Sequence, residues 1–151
     1  MLLMGACQDS PMFMKYSSVD VQGWHSGDAV TFRLPEVEDS AQYCVKIHVR
    51  TLQNYRYDNL SLVARLKDGK KVLSVDTVNY SILDVNGDSR GIGFPYVEQE
   101  ISLPHKYTIK PKKKYKVIIT HVMRLDPLDS VSEVGVTIAS SDYVQRPFLG
   151  K

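Results

Sequence analysis

The residues best suited to chemistry form a short oxygen-rich segment between two apolar stretches. Asp84, Asn86 and Asp88 stand at the first, third and fifth positions of a calcium-binding loop. The rest of that loop does not match, because the sixth and twelfth positions, which need a glycine and a bidentate acid, carry Ser89 and Pro95. The sequence therefore favours a plain Asn-Gly turn over a calcium site.

The remaining sequence offers little for catalysis or for a metal. The chain has no glycine-rich phosphate-binding loop and no Cys–His pair in a catalytic context. The four histidines are far apart and lack the paired spacing of zinc ligands: His25, His48, His105 and His121. We therefore predict that the protein is not an enzyme and that it has no catalytic residue, metal or cofactor.

Aromatic residues near turns are candidates for binding, because rings on the rim of a β-sandwich can stack against sugars or anchor a protein. Trp24, the only tryptophan, lies between Gly23 and Gly27, while Tyr55 and Tyr57 lie in a polar turn. The alternative is that these rings close the ends of the fold. We predict Trp24, Tyr55 and Tyr57 as candidate partner-binding residues.

A charged pair lies where a strand ends ahead of Pro127. Arg124 and Asp126 are two residues apart and can project to the same side. Neither can lie unpaired in the core, because an unpaired buried charge is strongly unfavourable. One hypothesis is that Arg124 bonds to loop carbonyls or to Asp126 and fixes the chain crossing. The other is that Arg124 and Asp126 bind a partner, with the planar guanidinium as the main contact.

Positive charge is concentrated in one turn of a chain that is otherwise balanced. Five lysines surround Pro111: Lys110, Lys112, Lys113, Lys114 and Lys116. A solvated turn is one interpretation, and contact with an acidic partner or with lipopolysaccharide phosphate is the other. The net charge of the 151-residue chain is only +2, which does not indicate nucleic acid or an anionic membrane as the main partner.

The N-terminus carries a candidate lipidation site. A short apolar run ends in Gly5 and Ala6 directly before Cys7, with Met4 three positions ahead of the cysteine, as in the lipobox of bacterial lipoproteins. There the cysteine becomes the acylated first residue of the mature chain, and several acyl chains give a stable anchor. Only six residues precede Cys7, so most of a signal peptide is missing, and the alternative is an accidental match in an apolar N-terminus.

Alternating apolar residues predict the elements that position these candidates. Val45, Ile47 and Val49 alternate with polar residues, and Leu60 and Leu62 repeat the pattern, as in half-buried strands. About eight such strands, without helical periodicity, predict an all-β, single-domain antiparallel β-sandwich with jelly-roll or Greek-key-like wiring. We assign residues 1–7 to a signal remnant, 8–18 to a tether and first strand, and 19–151 to the sandwich.

Four motifs, taken in order and spacing, carry a family resemblance. They are Arg50-x-x-x-Asn54-Tyr55-x-Tyr57-x-Asn59-Leu60; Asp76-Thr77-Val78 ahead of Tyr80 and Ile82; Asp84-x-Asn86-Gly87 with Gly91 and Gly93; and Met123-Arg124-x-Asp126-Pro127-Leu128 with Val134-Gly135-Val136. From Cys7 to about Ile138 the chain resembles the gliding-motility lipoprotein H (GldH) family. That family usually has an aromatic residue where this chain has Ser89 and Arg90.

The resemblance implies an outer-membrane lipoprotein, with palmitate or a similar acyl group on Cys7, on either face of that membrane. It implies a non-catalytic accessory whose partners are envelope proteins of the gliding and type IX secretion machinery, and no nucleic acid. The alternative is a carbohydrate-binding cell-surface lipoprotein with a glycan ligand. A row of exposed, coplanar aromatic rings across one sheet would favour the glycan, whereas rings scattered over the ends would favour the accessory.

Overall fold

The computed structural model describes residues 12–140, which form two antiparallel β-sheets and no helix that could span a membrane. The strands are β1 (Phe13–Ser18), β2 (Val30–Arg33), β3 (Ala41–Leu52), β4 (Asn59–Asp68), β5 (Lys71–Ser81), β6 (Tyr96–Ser102), β7 (Tyr107–Ile109), β8 (Tyr115–His121) and β9 (Val131–Ser140). The predicted all-β sandwich is confirmed. The lipobox with Cys7 lies outside the described residues.

The order of the strands is that of a jelly roll. One sheet has the order β1–β9–β3–β6, with β7 pairing to β3 beyond the end of β6, and the other has the order β2–β8–β4–β5. Each sheet thus joins strands from the first and second halves of the chain, as two interlocked Greek keys do. Only the three-residue β7 is not among the strands predicted from the sequence.

The core lies between the sheets and is built from the predicted alternation. Val45, Ile47 and Val49 of β3 are at most 1% exposed, and Leu60 and Leu62 of β4 are fully buried. Removing this much apolar surface from water, at about 25 cal/mol per Å², is the main term that stabilises the sandwich.

One side chain on the outer face of the first sheet is buried, although the alternating pattern predicts that it is exposed. His48 points away from the core but is only 3% exposed. The ring of Tyr16 lies over it at a centroid distance of 5.6 Å, and Gly135 gives that ring room because a Cβ there would stand 2.6 Å from Tyr16 Cδ1. The Thr137 hydroxyl lies 2.7 Å from His48 Nε2.

The two ends of the sandwich carry different connections. At the end where β1 begins, which we call the basal end, lie the connections 34–40, 69–70 and 110–114. At the opposite end, the apical end, lie the connections 19–29, 53–58, 82–95 and 122–130. The strands pair in antiparallel register from one end to the other, so each connection belongs clearly to one end.

Candidate functional site

All five residues predicted to bind a partner lie in the apical connections, although they are far apart in sequence. Trp24 lies between β1 and β2, the two tyrosines between β3 and β4, and the charged pair between β8 and β9. The sandwich therefore gathers Trp24, Tyr55, Tyr57, Arg124 and Asp126 at one end. Their environments differ, however, and only part of the set is open to solvent.

Trp24 belongs to the core, which corrects its prediction as a surface contact. The residue is 1% exposed, and its backbone pairs with Leu128 through bonds of 2.8 and 2.9 Å. Its indole N–H donates to the carbonyl oxygen of Asp28 at 2.8 Å. Because the ring is buried and its only donor is used, Trp24 has no free face for a ligand.

His121 packs against this tryptophan, and no sequence motif identified it. It is fully buried, with its ring 4.9 Å from the Trp24 ring in an edge-on arrangement. The Met123 N–H donates to His121 Nδ1 at 3.3 Å, so the ring proton lies on Nε2, which donates to the Trp24 carbonyl at 2.7 Å. His121 thus joins the end of β8 to the first apical connection.

Asp126 fixes the crossing to the last strand, but not through Arg124. Its carboxylate accepts hydrogen bonds from both the backbone N–H, at 2.9 Å, and the hydroxyl of Ser26. These bonds from Ser26 hold the pKa of Asp126 below its usual value. The hypothesis that Arg124 bonds to loop carbonyls or to Asp126 is wrong, because the Arg124 side chain forms no hydrogen bond or ion pair with any residue of 12–140.

The two tyrosines form a supported pair. Their rings meet edge to face at 5.3 Å, the Tyr55 hydroxyl donates to the Asn59 carbonyl at 2.9 Å, and the Tyr57 hydroxyl donates to Asp129 at 3.2 Å. Arg56 also binds Asp129, at 3.1 Å. Burial raises the pKa of the Tyr55 phenol, and the negative charge of Asp129 adds to the effect.

Arg124 is the member of the set that is free to act. It is exposed, and its side chain has no hydrogen bond or ion pair with any residue of 12–140. It borders a groove of about 730 Å³ whose lining is Tyr57, Asn59, Ser61, Asn79, Val122, Met123, Arg124 and Leu125. The groove combines amide and hydroxyl groups with apolar side chains, and Leu125 is 53% exposed.

A second exposed apolar surface lies on another apical connection, 82–95. Phe94 is 87% exposed and Ile92 is 79% exposed. The same loop contains the segment considered for calcium, where Asp84 Oδ1 accepts the N–H groups of Asn86 and Asp88 at 2.8 and 3.0 Å. That carboxylate stabilises its own turn, and residues 12–140 contain no group of three acidic, His or Cys side chains suited to a metal.

This loop also contains a match to the G-x-S-x-G pattern of serine hydrolases, Gly87 to Gly91, which the prediction of a non-enzymatic chain did not take into account. In those enzymes the serine lies on a sharp turn from a strand into a helix. Here Ser89 lies between β5 and β6, and none of residues 12–140 is helical. Within that range no histidine hydrogen-bonds to the Ser89 hydroxyl, so the described chain lacks the context of a nucleophile.

Comparison with known proteins gives one consistent result. The family model described as GldH lipoprotein matches residues 11–138. The gliding motility lipoprotein GldH of Flavobacterium johnsoniae is 30% identical over 148 residues, which cover 93% of this chain and 92% of the relative. A GldH homolog of Christiangramia forsetii is 31% identical over 150 residues, with 93% and 91% covered.

Solved structures are less similar. A family GH115 4-O-methyl-α-glucuronidase has a TM-score of 0.41 and 20% identity, and the match covers 83% of this chain and 14% of that one. Such a likeness carries no inference about function. The family model, by contrast, matches residues 11–138, a range that includes both sheets and all four apical connections. The chain therefore belongs to the GldH lipoprotein family.

Proposed function

We propose that the protein is a non-catalytic, lipid-anchored accessory of the outer membrane that binds an envelope protein of the gliding and type IX secretion-associated machinery. One observation carries the proposal. β1 begins at the basal end, so the chain reaches the sandwich from Cys7 at the end opposite to the groove and the exposed apical loops. A lipid on Cys7 would leave the apical end open to a partner.

The apical side chains suit a protein surface. Phe94, Ile92 and Leu125 are exposed apolar groups, and arginine and aromatic residues are enriched among the contacts that dominate protein interfaces. The guanidinium of Arg124 offers five N–H donors in a planar arrangement that no other residue of 12–140 engages. We infer that Arg124 is the main polar contact and that Leu125, which lines the same groove, is an apolar contact beside it.

A glycan ligand is less well supported by the aromatic residues. Among residues 12–140 only Phe94 and Tyr96 are exposed aromatics, and both lie at the apical end, with no row across a sheet face. The ring planes of Tyr55 and Tyr57 are inclined at 79° to each other, and both hydroxyls donate hydrogen bonds within the domain. Scattered rings are the pattern that favours the accessory.

Site-specific cross-linking in the cell envelope tests the partner-binding end. A photoreactive residue at Leu125 should form an adduct with an envelope protein, whereas the same residue at Thr77, exposed on the middle of β5, should not. Arg124→Ala should abolish the Leu125 adduct, and Lys15→Ala, which changes an exposed cation in the middle of β1, should leave it unchanged. Adducts of equal yield from both positions would contradict the proposal.

Arg124→Lys separates binding from stability. The lysine keeps the charge but loses the planar group, so partner recovery should fall. The melting temperature should not change, because Arg124 has no bond within residues 12–140 to lose. A lowered melting temperature with normal recovery would show that Arg124 serves the fold instead.

Cys7→Ser tests the anchor. In a gene that carries a complete signal peptide, this substitution removes the acylated thiol and should move the protein from the membrane pellet to the soluble periplasmic fraction. Equal membrane recovery of the two proteins would contradict acylation at Cys7.

A further inference from the structure

The basal end carries a row of three cations on the outer face of the second sheet. Arg33 of β2 is directly opposite Lys116 of β8, which is directly opposite Lys67 of β4. Side chains of directly opposed residues in an antiparallel sheet lie on the same face. The flanking residues Val117 and Leu66 are buried in the core, so the three cations lie on the solvent side.

No acidic residue neutralises this row. The side chains of Arg33, Lys67 and Lys116 form no ion pair or hydrogen bond with any residue of 12–140. Like charges that face each other across strands destabilise a sheet. The row is therefore unfavourable in the isolated domain, and an anion bound across it would relieve the repulsion.

Charge is divided between the two ends of the molecule. The basal segments 33–41, 67–71 and 106–116 contain ten Lys or Arg and four Asp or Glu. Of those acids, Asp68 pairs with Lys113 at 3.3 Å, and the other three are in one connection: Glu36, Glu38 and Asp39. The four apical connections contain three Arg and seven Asp. The domain is thus positive at its base and negative at its apex.

The basic end is also the end next to the proposed anchor, and this step rests on acylation of Cys7. β1 begins at Phe13 in register with Ile138, at the basal end of the first sheet. Five residues lie between Cys7 and Phe13, and the six steps along the chain from one to the other span at most about 21 Å when fully extended. An acylated Cys7 would hold the basal cations within a short distance of the lipid headgroups.

We propose that the basal end binds the phosphate groups of anionic lipid headgroups, with the Arg33–Lys116–Lys67 row as the main contact. Lysine and arginine side chains near an anionic bilayer each strengthen binding by about fivefold. The same field repels the acidic apical end. The two effects together orient the domain with its groove away from the membrane, which a flexible lipid anchor alone would not do.

Vesicle binding by the full chain carrying Cys7→Ser tests this without any contribution from the anchor. The chain should sediment with vesicles that contain phosphatidylglycerol, less so as salt is raised, and should not sediment with phosphatidylcholine alone. Lys67→Gln with Lys116→Gln should weaken binding by about thirtyfold. The control, Arg56→Gln with Arg90→Gln, makes the same change in net charge at the apical end and should leave binding unchanged.

Both double variants should fold, because the four side chains are at the surface, and melting temperatures check this. Equal losses in the two variants would mean that only net charge matters and would overturn the proposal. Failure to bind phosphatidylglycerol vesicles would also overturn it, including a result in which the chain binds soluble dextran sulfate instead. Because the chain lacks Cys7, neither failure bears on acylation, which the fractionation experiment decides separately.

Discussion

Replacing Trp24 with phenylalanine tests whether the indole supports the apical end or is available to a ligand. Phenylalanine keeps an aromatic ring in the core but removes the N–H that donates to the Asp28 carbonyl at 2.8 Å. It also leaves a gap beside His121, whose ring is in contact with the indole. If Trp24 supports the fold, the change lowers the free energy of unfolding.

The expected loss is about 2–3 kcal/mol. The lost hydrogen bond contributes about 1 kcal/mol, near the low end of the range of about 1–3 kcal/mol for removing one partner of a buried hydrogen bond. The cost is low because Asp28 is exposed, so water can replace the indole at its carbonyl. Truncating a buried tryptophan completely costs about 3–5 kcal/mol, so removing only part of its ring should cost about 1–2 kcal/mol. For a domain of this size the sum lowers the melting temperature by about 4–12 °C.

Thermal unfolding followed by circular dichroism measures the change. The control is Tyr96→Phe, which alters an aromatic residue that is 49% exposed and makes no side-chain bond within residues 12–140, and which should not change the melting temperature. Since Trp24 is the only tryptophan, wild-type fluorescence gives an independent check: its emission should resist quenching by iodide until the protein unfolds. An unchanged melting temperature in Trp24→Phe would refute the core assignment.

Three further outcomes are expected. Leu62→Ala should lower the unfolding free energy in urea by about 2–5 kcal/mol, whereas Val75→Ala, at a 54% exposed position, should change it by less than about 0.5 kcal/mol. Burial lowers the pKa of His48 below 6.5, so just below pH 6.5 the unfolded chain binds a proton that the folded chain does not. The unfolding free energy should therefore fall, as the pH is lowered there, by up to about 1.4 kcal/mol per pH unit. His48→Gln should make this pH dependence weaker. Gly135→Ala should displace the Tyr16 ring and cost about 1–3 kcal/mol by thermal unfolding.

The fold was predictable because its strands obey a local rule. Val45, Ile47 and Leu62 are buried where period-two alternation places them, and no distant contact is needed to explain that. The strand missed by the sequence analysis, β7, has only three residues, of which Tyr107 and Ile109 face the core. Two apolar residues separated by one polar residue, shortly after Pro104, are too few to distinguish a strand from a turn.

The site was less predictable because its contacts are long-range. The glycines around Trp24 correctly indicate a loop, but its burial depends on pairing with Leu128, in another apical connection. Asp126 likewise meets Ser26, which is 100 residues away, and not the nearby Arg124. Periodicity and turn chemistry locate such residues at an end of the sandwich, but which side chains cover one another there is decided by tertiary packing.

The separation of positive and negative charge between the two ends of the domain follows from the order of its connections and the charges they carry. The net charge of +2 does not reveal this separation. In an antiparallel sandwich successive connections alternate between the two ends, so a chain whose connections differ in charge becomes dipolar on folding. β7 continues in the direction of β6, and both pair with β3, so missing it does not alter the alternation. The lysine-rich turn 110–114 and the hairpin 69–70 must therefore lie at the end where β1 begins. If Cys7 carries the lipid, the same connectivity that closes the jelly roll also determines which surface meets the membrane and which is left for a partner.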